Sequence, residues 1–80
     1  MYNVYILINL KGRCYIGSTT NLEKRLSRHN TGGSKWTKNK GPWKVLYTET
    51  CNSRSEAIRR EKEIKSYKGG IKFKKLVNLS

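Results

Sequence analysis

Val4-Tyr5-Ile6-Leu7, then Lys11-Gly12-Arg13, then Cys14-Tyr15-Ile16-Gly17-Ser18: two apolar, tyrosine-bearing runs stand on either side of a short polar turn. The first run extends from Tyr2 to Leu10 and is rich in Val, Ile, Leu and Tyr, the composition of a strand. Asn9 to Arg13, with Gly12, reads as a hairpin turn, and Cys14 to Gly17 as a short second strand pairing back on the first. Outward from this hairpin, Thr20 and Glu23 match a capping box, so a helix is expected from about Thr20 to Asn30, with Leu22 and Leu26 on one face and Gly32-Gly33 stopping it. Ser34 to Gly41 reads as a basic surface loop. Trp43 to Thr50 reads as a third strand, with Val45 and Tyr47 alternating with polar residues and Pro42 just before it, where a missing N–H does little harm. Ser53 and Glu56 repeat the capping box, and a helix to Tyr67 follows, ended by Gly69-Gly70. A last short helix covers Phe73 to Val77, with Phe73, Leu76 and Val77 as its packing residues. The order β-β-α-β-α-α predicts an α+β fold, a small three-stranded antiparallel sheet flanked by helices.

With 80 residues, a single domain over 1–80 is expected. Eighteen Lys and Arg against five Asp and Glu give a formal net charge of +13. That excess favours a polyanionic partner, because each phosphate neutralised releases condensed counterions. Charge alone admits a ribosomal-type or nonspecific basic protein as readily as anything more specialised. An anionic membrane is a weaker fit, since there is no long basic amphipathic helix with a bulky apolar face. Cys14 and Cys51 do not form a CxxC pair, and one His does not complete a structural zinc site with them, so buried free thiols are expected. No signal peptide and no bilayer-length apolar run is present, and a reducing cytoplasm fits best.

Glu61 is the sharpest chemical clue. Ala57, Ile58, Glu61, Ile64 and Lys65 fall on one helix face, and a carboxylate on an apolar stripe has to be paired, hydrogen-bonded or bound to a metal. The plain alternative is a salt bridge to one of the many lysines and arginines. Glu56 and Glu63 lie off the stripe and Glu23 serves as a cap. Arg25 and His29, spaced i, i+4, share a helix face beside Leu22 and Leu26. An arginine there can brace a phosphate bidentately, and a neutral histidine can take a proton, though a basic solvated face is the plain alternative. Arg28 points elsewhere and is expected to be an ordinary phosphate contact at most. Tyr5 and Tyr15, on adjacent strands, can lie near each other on one face. As catalysts they need help, because an unperturbed phenol with a pKa of about 10 is protonated at neutral pH.

Together these residues resemble the GIY-YIG nuclease family over nearly the whole chain, and in particular its small single-domain bacterial members. The chain is also similar to the cutting domain of the excision-repair nuclease UvrC and of GIY-YIG homing endonucleases. Asn3-Val4-Tyr5 stands at the first motif and Tyr15-Ile16-Gly17 at the second. The runs Gly17 to Leu26, with His29-Asn30 after it, and Arg54 to Lys65 carry the rest of the resemblance. The first motif's glycine is absent.

The resemblance implies catalytic-site roles for five residues: Tyr5 in helping to activate the attacking water, Tyr15 in lining the same site, Arg25 in stabilising the phosphate's developing charge, His29 in assisting, and Glu61 in holding a single Mg²⁺ or Mn²⁺. Asn78 is the candidate for a C-terminal asparagine of the family. The implied activity is metal-dependent hydrolysis of phosphodiester bonds in DNA, in repair or processing. Lys35, Trp36, Lys38 and Lys40 in the basic loop, and Lys68, Lys72, Lys74 and Lys75 near the C-terminus, are expected to hold the nucleic-acid backbone. A catalytically silent nucleic-acid-binding module of the same fold is the alternative, and a basic RNA-associated protein is a third reading.

Overall fold

The computed structural model describes residues 1–31 and 41–78. The elements run β1 (Tyr2–Ile8), β2 (Cys14–Thr19), α1 (Leu22–Asn30), β3 (Lys44–Cys51), α2 (Arg54–Ser66) and α3 (Ile71–Asn78). The fold is α+β, as expected: a three-stranded antiparallel sheet in the order β2-β1-β3 with three helices. β1 is therefore the central strand, which accounts for its almost unbroken apolar run. In the turn, the Asn9 side-chain oxygen accepts from the N–H groups of Lys11 and Arg13, and Gly12 takes a φ of 82°.

Side chains alternate along β1 and feed two cores. Val4 and Ile6 pack with Ala57 and Ile64 of α2, together with Phe73, Leu76 and Val77 of α3. Tyr5 and Leu7 point the other way and pack with Trp43, Tyr15 and the α1 residues Leu22 and Leu26. Helices thus cover both faces of the sheet, and β2 is left as an edge between them.

Several expected boundaries move. Asn21, not Thr20, caps α1: its side-chain oxygen accepts from Lys24 N–H at 3.1 Å, while the Thr20 side chain stands exposed. An Asn is as strong a cap as a Thr, and the second strand runs on to Thr19, which displaces the helix start by one residue. The far end of α1 is at Asn30, as expected, with Thr31 N–H bonded to Ser27 O; Gly32-Gly33 lie outside the described residues. The Ser53 cap holds, but the Glu56 carboxylate reaches back to Asn52 N–H rather than to Ser53. α2 stops at Ser66, and the chain turns left-handed at Lys68 (φ 51°) and Gly69 (φ 74°). α3 is longer than expected at both ends.

The alternation in β3 is interrupted. Tyr47 pairs with Ile6 but Val45 with Leu7, so Leu46 is an inserted residue in a bulge. Leu46 joins the core and Val45 is exposed, a shift the plain alternation did not contain. Cys14 and Cys51 are free and half-buried rather than fully buried. No helix among the described residues is long and apolar enough to cross a membrane.

Candidate active site

Tyr5 is the centre of the site. Its backbone pairs with Gly17 of β2, and its ring crosses that glycine toward the sheet edge. A Cβ at position 17 would sit 2.6 Å from Tyr5 Oη, so only glycine lets the phenol pass. The Tyr5 side chain is fully buried, yet its Oη lies 3.2 Å from Nε2 of His29, the single buried residue of α1. Tyr15 lies beside both: its ring centroid is 6.2 Å from that of Tyr5 and 4.7 Å from that of His29. The α1 spacing explains the grouping. Leu22, Arg25, Leu26 and His29 form one inward stripe, so the turns that seat Leu22 and Leu26 also aim Arg25 and His29 at the hairpin.

The electrostatics divide the phenol from the imidazole. Burial pushes the Tyr5 hydroxyl up to about 12, reinforced by Tyr15 and Glu61 and opposed by the adjacent Arg25 guanidinium. Burial also lowers the pKa of His29, and the positive charges of Arg25 and Arg28 lower it further. At neutral pH the pair is therefore a neutral phenol beside a neutral imidazole. The Tyr5 O–H can donate to Nε2 when His29 carries its proton on Nδ1.

Glu61 approaches from the opposite side of the sheet. It stands at the border of the α2 interface rather than on its buried centre: Ala57 and Ile64 are fully buried, while Ile58 is 39% exposed and the Glu61 side chain 21%. The α2 contact with three strands is narrow, so only the Ala57–Ile64 line is sealed. The row through Ile58, Glu61 and Lys65 faces the β2 edge. The Ser18 hydroxyl donates to Glu61 Oε1 at 2.9 Å, and Lys65 Nζ lies 2.7 Å from Oε2. The salt bridge weighed as the plain alternative is thus present, one turn along the same helix. Even so, Glu61 lies close enough to Tyr5 for its charge to act on the phenol.

Among the described residues, no three His, Cys, Asp or Glu side chains gather to hold a metal. One carboxylate with a hydroxyl beside it fits an Mg²⁺ that keeps most of its waters and takes its remaining ligands from substrate phosphates. It does not fit a dedicated all-protein cage.

Gly17, Ser18 and Asn30 stand in the motif runs of the sequence, which gave none of the three a role; the structure gives each one. The amide of Asn30 accepts from Trp43 N–H at 2.6 Å and donates to Trp43 O at 3.1 Å, which ties the end of α1 to the start of β3, next to His29. Nothing in the spacing pointed to that bond, because the two residues meet only once α1 and the start of β3 pack together on one face of the sheet. Asn78 is the exposed last residue of α3, and no described hydrogen bond joins it to Tyr5, Arg25, His29 or Glu61. Lys68, Lys72, Lys74 and Lys75 are exposed, with Lys72 Nζ 5.9 Å from the Tyr67 ring centroid. Lys35, Trp36, Lys38 and Lys40 lie outside the described residues.

Comparison with known proteins agrees with this fold. A family model described as the GIY-YIG catalytic domain matches residues 1–74. The chain is 44% identical over 72 residues to the UPF0213 protein SH2523 of Staphylococcus haemolyticus, covering 89% of this chain and 88% of that protein. It is 41% identical over 66 residues to the UPF0213 protein VNG_2274C of Halobacterium salinarum, covering 81% and 86%. The solution NMR structure of the UPF0213 protein BH0048 from Bacillus halodurans superposes with a TM-score of 0.63 at 36% identity, over 100% of this chain and 86% of that one. A phenol–imidazole pair on one face of a hairpin, a carboxylate reaching its edge from the other, and a family match over nearly the whole length lead to one statement: this chain belongs to the GIY-YIG catalytic domain family, a family of nucleases.

Proposed function

We propose that this protein is a divalent-metal-dependent endonuclease that hydrolyses phosphodiester bonds in DNA, in repair or processing. The observation that carries the reading is the contact between Tyr5 Oη and a buried, neutral His29, with Arg25 beside the phenol. A phenol held near 12 is a poor base by itself. Paired with a proton acceptor it becomes a relay: Tyr5 Oη takes a proton from the attacking water as its own passes to His29 Nε2. His29 is kept neutral for that purpose by burial and by its arginine neighbours. Arg25 stabilises negative charge on the phenol oxygen and on the phosphoryl oxygens. Tyr15, packed on the imidazole, holds the ring in place. Mg²⁺ or Mn²⁺ at Glu61 would supply Lewis-acid stabilisation of the leaving oxygen. Lys65 occupies one Glu61 oxygen and has to release it before that carboxylate can bind a cation. Ser18 orients the other oxygen throughout.

The engaged carboxylate is also what a silent binding module of the same fold would display, so one assay has to separate the two. Labelled duplex, nicked, flap and single-stranded DNA are incubated with Mg²⁺ or EDTA, using the wild type, Glu61→Ala and Tyr5→Phe. Mg²⁺-dependent scission that falls at least about a hundredfold in both variants, with binding kept, is the expected result. Binding without scission by the wild type on every substrate would select the silent module. Full scission by Glu61→Ala would remove the metal role.

A further inference from the structure

The outer side of α1 has a chemistry that the site does not use. Thr20, Lys24, Ser27, Arg28 and Thr31 recur at steps of three and four along and around α1, so they form one stripe opposite the buried one. They line a cleft together with Arg25. A second cleft, on the other side of Arg25, is lined by Ser18, Arg54 and Ile58. Both clefts contain Thr19, Thr20 and Arg25 in their walls, so they meet at the arginine of the candidate site. The described ion pairs engage only Arg60 and Lys65 among the basic residues. Lys24, Arg28 and Arg54 take no part in them. Cations outside these ion pairs, lining two clefts that share Arg25, suit a chain of phosphates.

We propose that this line is the track of the nucleic-acid strand being cut. The α1 stripe holds backbone phosphates on one side of the scissile bond, and Arg54 meets the backbone on the other. The stripe from Thr20 to Thr31 spans about 16 Å at 1.5 Å per residue, room for two or three successive phosphates. Lys24 and Arg28 contact them as charges, while Thr20 and Ser27 donate hydroxyl hydrogens to the phosphate oxygens; the Thr31 hydroxyl donates to Arg28 O at the helix end instead. This path rests on the nuclease reading for its direction through the site, but the binding itself does not require turnover. It differs from the expectation that Lys68 to Lys75 and the loop before β3 carry the backbone, and it gives Arg28 more than an incidental contact.

The test measures binding of a labelled DNA duplex in EDTA, where metal-dependent cutting is off, over a range of salt concentrations. Lys24→Ala/Arg28→Ala is compared with Arg59→Ala/Lys62→Ala, which removes the same charge from exposed positions of α2 outside both clefts. Arg54→Ala is measured alongside. The first double variant is expected to bind on the order of tenfold more weakly, with the slope of log K against log salt smaller by about two. Arg54→Ala should weaken binding several-fold and lower the slope by about one. The control should stay within about twofold. Equal losses in the two double variants would overturn the track, leaving only diffuse charge, and so would no loss in the first or no binding by the wild type. Because the readout needs no scission, a wild type that never cuts DNA with Mg²⁺ would sink the nuclease reading while leaving the track to stand or fall on its own data.

Discussion

Tyr5 and Gly17 show how much one missing carbon can decide. The phenol reaches His29 only because nothing projects from the backbone of its β2 partner. Gly17→Ala places a methyl within 2.6 Å of Tyr5 Oη, and Tyr5, fully buried, cannot swing into solvent. The variant is expected to lose scission as severely as Tyr5→Phe, and to lose about 1–3 kcal/mol of stability besides. Paired thermal melts and scission rates check both, and a Gly17→Ala protein that cuts normally would show that Tyr5 is not held by this contact. The pH dependence belongs to the same pair. His29 has a folded pKa below its ordinary value of about 6.5, so protonation favours the unfolded chain. Its contribution is fully present above about pH 6.5 and is lost as pH falls toward the lowered folded value. Scission should fall over the same acid range, because a protonated imidazole accepts nothing from Tyr5. At the alkaline end, Tyr5 is raised, so stability falls as pH rises from about 10, its ordinary value, to about 12. Stability and rate measured across pH, with His29→Gln alongside, check this: the substitution should remove the acid limb of stability.

At the scale of elements, α1 acts as a plate with two working sides. Leu22 and Leu26 anchor it, Arg25 and His29 reach inward, and Lys24 and Arg28 face out. Its far end is set by Asn30, whose amide satisfies both backbone groups of Trp43. Asn30→Ala leaves those groups to find water and frees the helix end beside His29. The expected cost is about 1–3 kcal/mol, a drop of roughly 4–8 °C in Tm for each kcal/mol. Scission should fall more than the melting shift alone explains. A variant with unchanged Tm and activity would show that α1 is positioned by its leucines alone. The leucine spacing of α1 and the shared face of Arg25 and His29 were readable in the sequence. The capping residue was not, because Thr20 and Asn21 both qualify and only the end of β2 chooses between them.

Across the whole molecule, the five carboxylates are few enough to follow one by one. Glu49 accepts from Arg60 Nε at 2.5 Å and from the Tyr47 hydroxyl, and Arg60 also bonds Glu63 at 2.6 Å. Burial pushes the Glu49 carboxyl up, but the bonds from Arg60 and Tyr47 outweigh that and hold it below its ordinary value. This network fastens β3 to α2 on the side of the sheet away from the histidine. Arg60→Met removes the cation and leaves a half-buried carboxylate with one phenol. A loss of about 1–3 kcal/mol is expected, less than for a fully buried pair because Glu49 keeps some solvent. The loss should shrink as pH falls and Glu49 protonates. Denaturant melts at neutral and acid pH check this, and a pH-independent loss would assign Arg60 a packing role only.

The sequence by itself determined the element order, the antiparallel hairpin, the amphipathic character of α1 and the positive charge, since all of these follow from local periodicity and composition. It also carried the family motifs, and through them the candidate residues Tyr5, Tyr15, Arg25, His29 and Glu61. The tertiary structure decided what no local pattern contains. It placed α1 and α2 on opposite faces of a sheet so narrow that the charge of Glu61 reaches the Tyr5 phenol around one edge. It inserted Leu46 into the core through a bulge. It tied Glu61 to Ser18, 43 residues away in the chain. Spacing along a helix or strand sets which way a side chain leaves its own element. Which side chains then meet depends on packing between elements, where burial of apolar area decides and chain distance does not.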